Sequence, residues 1–170
     1  MKAVLISIQP KWCELIASGK KTVEVRKTRP KLKTPFKCYI YCTEKDYDKI
    51  FCIDKFMHKV FLDGNGKQKV IGEFVCDRFT FFDAYYDTNG NRNLCNTAFV
   101  KSCVPYDELF DYLYGKHGKK HGGWAWHISD LVIYGEPKEL SEFSKYGFGE
   151  PVPLKRPPQS WMYVESEDAE

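Results

Sequence analysis

The chain has 170 residues, enough for one domain with a buried core. Its 43% hydrophobic and 29% charged residues are ordinary for a soluble globular protein, and a formal charge of +3 does not by itself indicate nucleic-acid binding. No apolar run approaches the length of a membrane span, and the N-terminus is too quickly interrupted for a signal peptide. Together with seven cysteines, an odd number, these features predict reduced thiols in the cytoplasm.

The charges are unevenly distributed along the chain. Residues 11–37 contain nine basic and two acidic side chains, whereas residues 136–170 contain four basic and eight acidic ones. This asymmetry predicts a basic face and an acidic C-terminal end. We expect residues 1–135 to form one domain and residues 136–170 to form a C-terminal extension, with the last six residues disordered.

The first eighteen residues predict a strand followed by a short helix. Residues 2–8 are mostly apolar, as in a buried strand, and Pro10 suits the first position of a helix over residues 11–18. The apolar side of this helix carries Trp12, Leu15 and Ile16. Trp12 either packs on the sheet or stacks on a nucleic-acid base, and the pattern allows both.

The next segment combines a turn, a strand and a dense run of charge. Gly19 can end the helix in the left-handed conformation, and residues 22–26 alternate polar and apolar like a half-buried strand. If Val23 and Val25 face the core, Glu24 and Arg26 share the opposite face. The lysines at positions 20 and 21 then stand at the strand's entrance. This face is either a functional cluster or a solvated ion pair.

Further along, the pattern predicts mostly strands. Glu73 lies among apolar neighbours in one of them, so its carboxylate is either paired, for example with Arg26, or exposed at an edge. The predicted elements are strands at residues 36–43, 59–62, 69–82, 124–134 (in two parts) and 161–164, a hairpin turn at 63–66, a loop at 87–95, a helix at 105–114, a basic loop at 116–123 and a helical turn within 137–143.

Metal and cofactor motifs are weak or missing. Cys38 and Cys42 fall on a predicted strand, where residues four apart are roughly 13 Å apart and cannot share one ion. His117 and His121 have no cysteine or carboxylate partner close in sequence. The chain has no phosphate-binding loop, dinucleotide glycine fingerprint or serine-hydrolase elbow. We therefore predict neither a metal nor a cofactor.

One motif does match a family. Gly19, Lys21, Glu24 and Arg26 form the pattern G-x-K-x-x-E-x-R, which resembles the signature of the ASCH domain, a relative of the PUA fold. The apolar first strand, the proline-led helix and the tryptophan-rich segment at residues 123–128 agree with it, and the resemblance covers roughly residues 1–134. It implies an α+β fold: a small PUA-like β-barrel with short helices at its rim and a cleft lined by the signature residues.

The resemblance also implies a function connected with RNA. Our leading hypothesis is a non-catalytic RNA-binding module in which Lys21, Glu24 and Arg26 line a basic cleft. By charge and position we add Lys20, Lys27, Arg29 and His127, with His127 on the strand face that we place nearer the cleft. A protein-interaction domain whose cleft is structural is a third possibility.

The alternative is a hydrolase that acts on a modified nucleoside or on RNA, with Lys21, Glu24 and Arg26 as candidate catalytic residues. One branch of the family deacetylates N4-acetylcytidine with a lysine, a threonine and a glutamate. Lys21 matches that lysine, but Glu24 stands where the branch has threonine.

Overall fold

The computed structural model describes residues 1–44, 66–95, 97–115 and 122–166. Within these ranges the chain is mostly β-structure with two α-helices and two short 3₁₀ helices. The strands are β1 (Lys2–Ile8), β2 (Val23–Arg26), β3 (Phe36–Cys42), β4 (Val70–Cys76), β5 (Phe79–Phe82), β6 (Ala84–Tyr86), β7 (Arg92–Leu94), β8 (Gly123–His127), β9 (Ser129–Lys138) and β10 (Trp161–Glu165). The α-helices are α1 (Pro10–Ala17) and α2 (Tyr106–Tyr114), and the 3₁₀ helices are Thr97–Ser102 and Leu140–Glu142.

A five-stranded sheet forms the centre of the molecule, in the order β10-β1-β3-β4-β9. β1 and β3 are parallel, and the other neighbours are antiparallel. The apolar runs that predicted β1 and β3 are explained by this position, because the central strands are covered on both faces. The predicted edge strand near the C-terminus is confirmed as β10.

A second sheet carries the residues of the motif. It has the order β2-β8-β5, and its register aligns Arg26 with Trp124 and Trp124 with Phe81. β6 and β7 form a separate two-stranded hairpin. The α+β class is confirmed, but none of these three sheets closes on itself among the described strands, so the predicted barrel is not confirmed.

The apolar side chains form three clusters. One face of the central sheet packs on Trp126 of the second sheet, and the other face is covered by Phe143 and Leu154 from the C-terminal segment. The third cluster lies between the second sheet and α2, where Leu109 and Leu113 contribute from the helix. The two sheets and α2 are thereby fixed relative to each other around the motif strand β2.

Two strand predictions need correction. The single strand expected over residues 69–82 is two strands, because the chain leaves the central sheet after Cys76 and joins the second sheet at Phe79. An alternating pattern cannot show that a strand changes sheets, since the period of two is kept in both. The loop expected at residues 87–95 contains β7, which forms a hairpin with β6. The turn between the two strands is stabilised by the Asp87 carboxylate, which accepts hydrogen bonds from the amides of Asn89 and Asn91.

Glu73 is paired, but its partner is not Arg26. Its carboxylate accepts hydrogen bonds from Lys37 Nζ at 2.8 Å and from the Tyr134 hydroxyl at 2.6 Å. Both partners lie on strands of the central sheet, whereas Arg26 lies on the second sheet. The proposed pairing is therefore wrong because the two side chains belong to different sheets.

The C-terminal segment is packed against the rest of the chain. The boundary proposed at residue 135 falls within β9, and β10 pairs with β1 from Lys2↔Glu165 to Ile6↔Trp161. The predicted disorder of the last six residues is wrong for the first two of them, because Glu165 ends β10 and the Ser166 amide donates to the Met1 carbonyl. Residues 167–170 lie outside the described residues. The predicted hairpin near residue 63, with its first strand, and the histidine pair at 117 and 121 lie outside the described residues.

Candidate functional site

The turn after α1 determines where the motif begins. Gly19 has a φ of +73°, a left-handed conformation that favours glycine, and its amide bonds the carbonyl of Ile16. The amide of Lys21 bonds back to the carbonyl of Leu15 at 2.9 Å. This local structure explains the spacing of the motif, because it turns Lys21 inward just before β2 starts.

Glu24 lies between the two cations of the motif. One carboxylate oxygen lies 3.1 Å from Lys21 Nζ, and the other lies 2.9 Å from Arg26 Nη2. All three side chains are largely buried, with exposed fractions of 1% for Lys21, 7% for Glu24 and 13% for Arg26. The motif is therefore a buried charge network rather than a solvated ion pair.

Burial and the neighbouring charges shift the pKa of Glu24 in opposite directions. Loss of water around the carboxylate raises its pKa, but the Lys21 ammonium and the Arg26 guanidinium stabilise the ionised form. The two cations prevail, and the pKa of Glu24 lies below its ordinary value of 4.5. Glu24 is consequently a carboxylate at neutral pH.

Lys21 has a second acceptor far away in sequence. Its Nζ donates to the backbone carbonyl of Ser102 at 2.7 Å, at the end of the first 3₁₀ helix. The ammonium also lies 5.3 Å from the centroid of the Trp12 ring on α1. Two of its three N–H groups can therefore be assigned to protein acceptors, one on Glu24 and one on Ser102.

Arg26 connects the motif to β1 and to the C-terminal segment. Its Nη2 donates to the carbonyl of Ser7 at 2.6 Å, and Nη1 lies 3.5 Å from Ser160 Oγ. Ser7 in turn donates through Oγ to the carbonyl of Pro158 at 2.6 Å. The guanidinium is thus oriented by three separate parts of the chain.

A cleft of about 390 Å³ opens beside this network. Aromatic, amide, hydroxyl, aliphatic and charged side chains line it: Ser7, Gln9, Trp12, Lys21, Glu24, Val25, Arg26, Thr43, Val104, Glu108, Leu109, Tyr112 and Gln159. The residues come from β1, α1, β2 and α2 and from the segments next to elements, such as Thr43 after β3, Val104 after the first 3₁₀ helix and Gln159 before β10. Glu108 of α2 lies 3.6 Å from Lys11 of α1, an exposed ion pair between the two helices.

Several polar groups at the cleft have no partner within the protein. The side-chain amides of Gln9 and Gln159 make no hydrogen bond to the part of the chain that the structure describes. Arg26 Nε and Thr43 Oγ1 are buried without a partner in the same ranges. Buried polar groups are normally hydrogen-bonded, so the unpaired Arg26 Nε and Thr43 Oγ1 are suited to a polar ligand. Gln9 is half-buried and Gln159 is exposed, so their amides are open to water or to a ligand in the cleft.

The structure brings only part of the predicted site together. Lys21, Glu24 and Arg26 line the cleft, whereas four other predicted residues do not. Those four are Lys20, which is exposed; Lys27, whose ammonium lies 5.2 Å from the Tyr112 ring; Arg29, which stacks on Trp124; and His127.

The placement of His127 near the cleft is wrong. Its Nδ1 lies 2.6 Å from Asp77 Oδ1, and its amide bonds the carbonyl of Arg78. Its neighbour on the same strand face, Ala125, packs in the cluster under α2. The face that we assigned to the cleft is therefore occupied by the hydrophobic contact with the helix.

Sequence reasoning also missed lining residues. Ser7, Thr43 and Gln159 come from separate parts of the chain and carry no local pattern that links them to the motif. Tyr112 lies on the predicted helix, but only the packing of α2 beside β2 brings it to the cleft. Their role depends on tertiary contacts, which the sequence does not show.

Residues 1–44, 66–95, 97–115 and 122–166 contain no group of three or more His, Cys, Asp or Glu side chains arranged to hold a metal ion. None of their helices is long and apolar enough to cross a membrane. The six cysteines in these ranges are all free.

The fold and the cleft define a small α+β domain in which a Lys-Glu-Arg network is the buried wall of a ligand-sized cavity. The profile of the ASCH domain matches residues 6–148. The chain therefore belongs to the ASCH domain family, whose members are generally RNA-binding or hydrolase-like modules.

Solved structures show the same fold. The crystal structure of ASCH from Zymomonas mobilis has a TM-score of 0.56 at 20% identity, covering 97% of this chain and 89% of that one. A serine-to-alanine variant of that protein has a TM-score of 0.60 at 20% identity with the same coverage. A tyrosine-to-phenylalanine variant gives 0.53 at 19%, covering 98% of this chain and 93% of that one. No curated protein sequence matches the chain.

Proposed function

We propose that the protein is an RNA-binding module that takes one unpaired base, or a free nucleoside, into the cleft beside Lys21, Glu24 and Arg26. The observation that carries this proposal is the composition of the cleft. Its wall is a hydrogen-bonding network of fixed charges, and Trp12 and Tyr112 supply aromatic surface. Unpaired bases are recognised in this way, by stacking on aromatic rings and by hydrogen bonds to their edges.

The size of the cleft supports a single base. A volume of about 390 Å³ lies at the small end of the range of about 300–1,000 Å³ that is typical of ligand pockets. A double helix is far wider than such a cavity, so a base must be unpaired to enter. Binding should therefore distinguish single-stranded from double-stranded RNA.

The charge of the cleft favours a base edge over a cluster of phosphates. Lys21 and Arg26 are accompanied by two lining carboxylates, Glu24 and Glu108, so the formal charges of the lining side chains balance. The free glutamine amides offer both donors and acceptors, as the edges of nucleobases do. Phosphates would instead be contacted by the exposed basic residues around the cleft, such as Lys20 and Lys27.

The geometry favours binding over catalysis. The Lys21 side chain is oriented by a carboxylate oxygen of Glu24 at 3.1 Å and the Ser102 carbonyl at 2.7 Å, so it is fixed by the protein itself. Glu24 is held ionised by two cations, so it is a poor proton donor at neutral pH. The network is suited to orienting a ligand.

Fluorescence titration of a single-stranded RNA pool tests this function. We expect saturable binding to single strands and much weaker binding to the matching duplex. Gln9→Ala should weaken binding, and because the Gln9 amide has no partner in the described structure the variant should fold normally. Asn89→Ala, which removes an exposed side-chain amide outside the cleft lining, is the matched control and should bind normally. Equal binding of single strands and duplexes, or of Gln9→Ala and wild type, would contradict the proposal.

The second candidate is hydrolysis of a modified nucleoside. It is favoured by the contact of Lys21 with Glu24 at 3.1 Å in a site where Lys21 is only 1% exposed, because exclusion of water strengthens electrostatic effects on a bound substrate. Uncharged substrates such as N4-acylated cytidines fit the balanced charge of the cleft. The presence of Glu24 where the amidohydrolase branch has threonine is the main argument against that branch's mechanism.

A hydrolysis screen that includes N4-acylated cytidines separates the two candidates. Turnover that disappears in Lys21→Ala, with the variant still folded by circular dichroism, would show that the protein is an enzyme. Absence of turnover across the panel, in a protein that binds single-stranded RNA, would support the binding module.

We also propose a cytoplasmic location, because an odd number of cysteines, seven, is typical of a protein with reduced thiols.

A further inference from the structure

A row of large side chains crosses the second sheet beside the cleft. Arg26, Trp124 and Phe81 are aligned in register on three neighbouring strands, and their side chains therefore share one face. The ring centroids of Trp124 and Phe81 are 5.1 Å apart. Arg26 belongs to the cleft, so the aromatic pair begins one strand away from it.

The outer part of this row is open to solvent. Phe81 is 47% exposed, and Trp124 is half-buried. Arg29, which is exposed, places its guanidinium 4.4 Å from the Trp124 ring centroid and 5.3 Å from that of Phe79. No carboxylate in the described ranges pairs with Arg29. We call Arg29, Phe79, Phe81 and Trp124 the aromatic platform.

The platform has the chemistry of a single-strand binding surface. The exposed Phe81 ring, which meets Trp124 at an interplanar angle of 63°, gives a flat surface for stacking that accepts any base. The Arg29 guanidinium over Trp124 adds a second planar surface and a positive charge for the phosphate chain. Directly opposed residues on antiparallel strands have Cα atoms about 4.5–5.5 Å apart, so Arg26 and Trp124 are immediate neighbours. An RNA chain whose base occupies the cleft would therefore place its next nucleotide over the aromatic platform.

We infer that the aromatic platform binds the nucleotide that flanks the base held in the cleft, so that the protein recognises a short single-stranded RNA rather than a free nucleoside alone. This inference rests on the proposed function, since the cleft fixes the first base. It adds a second contact site and predicts that affinity rises when the ligand is extended by a nucleotide on one side.

Binding of a mononucleotide and of single-stranded tetranucleotides can be compared in the full-length protein by fluorescence anisotropy. Wild type should bind the tetranucleotide at least about fivefold more tightly than the mononucleotide, as expected for one stacked base. Phe81→Ala and Arg29→Gln should remove most of this gain and leave mononucleotide binding unchanged. Phe81→Leu keeps an apolar side chain without a flat ring, and should also lose the gain.

A second exposed aromatic–cation pair provides the matched control. Phe148 is 56% exposed, and Lys145 Nζ lies 5.9 Å from its ring centroid. Phe148→Ala should leave the affinity for the tetranucleotide unchanged. If the platform variants bind it like wild type, the inference is wrong while the proposed function stands. If wild type binds neither ligand, the proposed function itself fails.

Discussion

Lys21 Nζ and the backbone carbonyl of Ser102 are 2.7 Å apart, although 81 residues separate them in sequence. Lys21 precedes β2, and Ser102 ends the 3₁₀ helix that leads towards α2. The hydrogen bond therefore ties the two sides of the cleft together. Because Lys21 is also paired with Glu24, any change in that carboxylate affects both the charge and the geometry of the site.

We expect Glu24→Gln to destabilise the fold strongly. The substitution leaves the buried cations Lys21 and Arg26 without their counter-charge, and breaking a buried ion pair typically costs about 3–5 kcal/mol. Urea unfolding measures the change. Glu108→Gln is the control, because Glu108 pairs with Lys11 in solvent, where such pairs contribute at most about 1 kcal/mol. Equal losses in both variants would mean that the network is not electrostatically important.

The contribution of Glu24 to the stability of the fold should depend on pH in the acid range. Burial raises its pKa, but Lys21 and Arg26 outweigh that effect and hold the pKa below 4.5 in the folded state. A group with a lowered folded-state pKa stabilises the fold fully above its unfolded-state value and loses that effect as the pH falls through the folded-state value.

The difference in unfolding free energy between wild type and Glu24→Gln should therefore be constant from pH 7 to about pH 5.5 and shrink below about pH 4.5. Chemical denaturation at a series of pH values measures it. The comparison with the variant removes the effect of other carboxylates, which titrate in both proteins. A difference that stays constant down to pH 3 would contradict the lowered pKa.

Much of the fold could be predicted because local patterns agree with it. The left-handed Gly19, the alternation from Val23 to Arg26 and the apolar run of β3 each depend on neighbours in sequence. The change of sheet between β4 and β5 could not be predicted, since both segments keep the same alternation. The closed barrel came from the resemblance alone, and the described strands do not show it.

The residues of the candidate site also differ in whether a local pattern or a tertiary contact places them there. The cluster of Lys21, Glu24 and Arg26 follows from a motif that spans eight residues, from Gly19 to Arg26. Ser102, Ser160 and Gln159 join the site through contacts between distant parts of the chain. For His127, the strand was predicted correctly but the position near the cleft was wrong. Which face of β8 meets α2 depends on packing, which the sequence does not show.

Gly123→Ala should disturb the contact between α2 and β2. A Cβ at this position would lie 2.6 Å from Leu113 Cδ2 and 2.7 Å from the carbonyl oxygen of Arg26, and the backbone cannot move away easily. We expect a loss of about 1–3 kcal/mol, typical of overpacking, together with weaker ligand binding.

Thermal unfolding measures this effect, and Gly135→Ala is the matched control in a strand. A Cβ at Gly135 meets no atom within 4 Å, so that variant should unfold close to the wild-type temperature. If Gly123→Ala is as stable as Gly135→Ala, α2 is less firmly packed on β2 than the distances indicate.

Ser7→Ala tests whether Ser7, which lines the cleft, and the C-terminal segment that it holds contribute to the binding site. Ser7 Oγ donates to the Pro158 carbonyl at 2.6 Å, and the neighbouring Gln159 lines the cleft. Losing this hydrogen bond should cost about 1 kcal/mol of stability and loosen residues 158–160. Because Ser160 also approaches Arg26, RNA binding should weaken more than the small loss of stability explains.

Ser18→Ala, which removes an exposed hydrogen bond to Leu15, should leave RNA binding unchanged. Unchanged RNA affinity in Ser7→Ala would place the C-terminal segment outside the functional site.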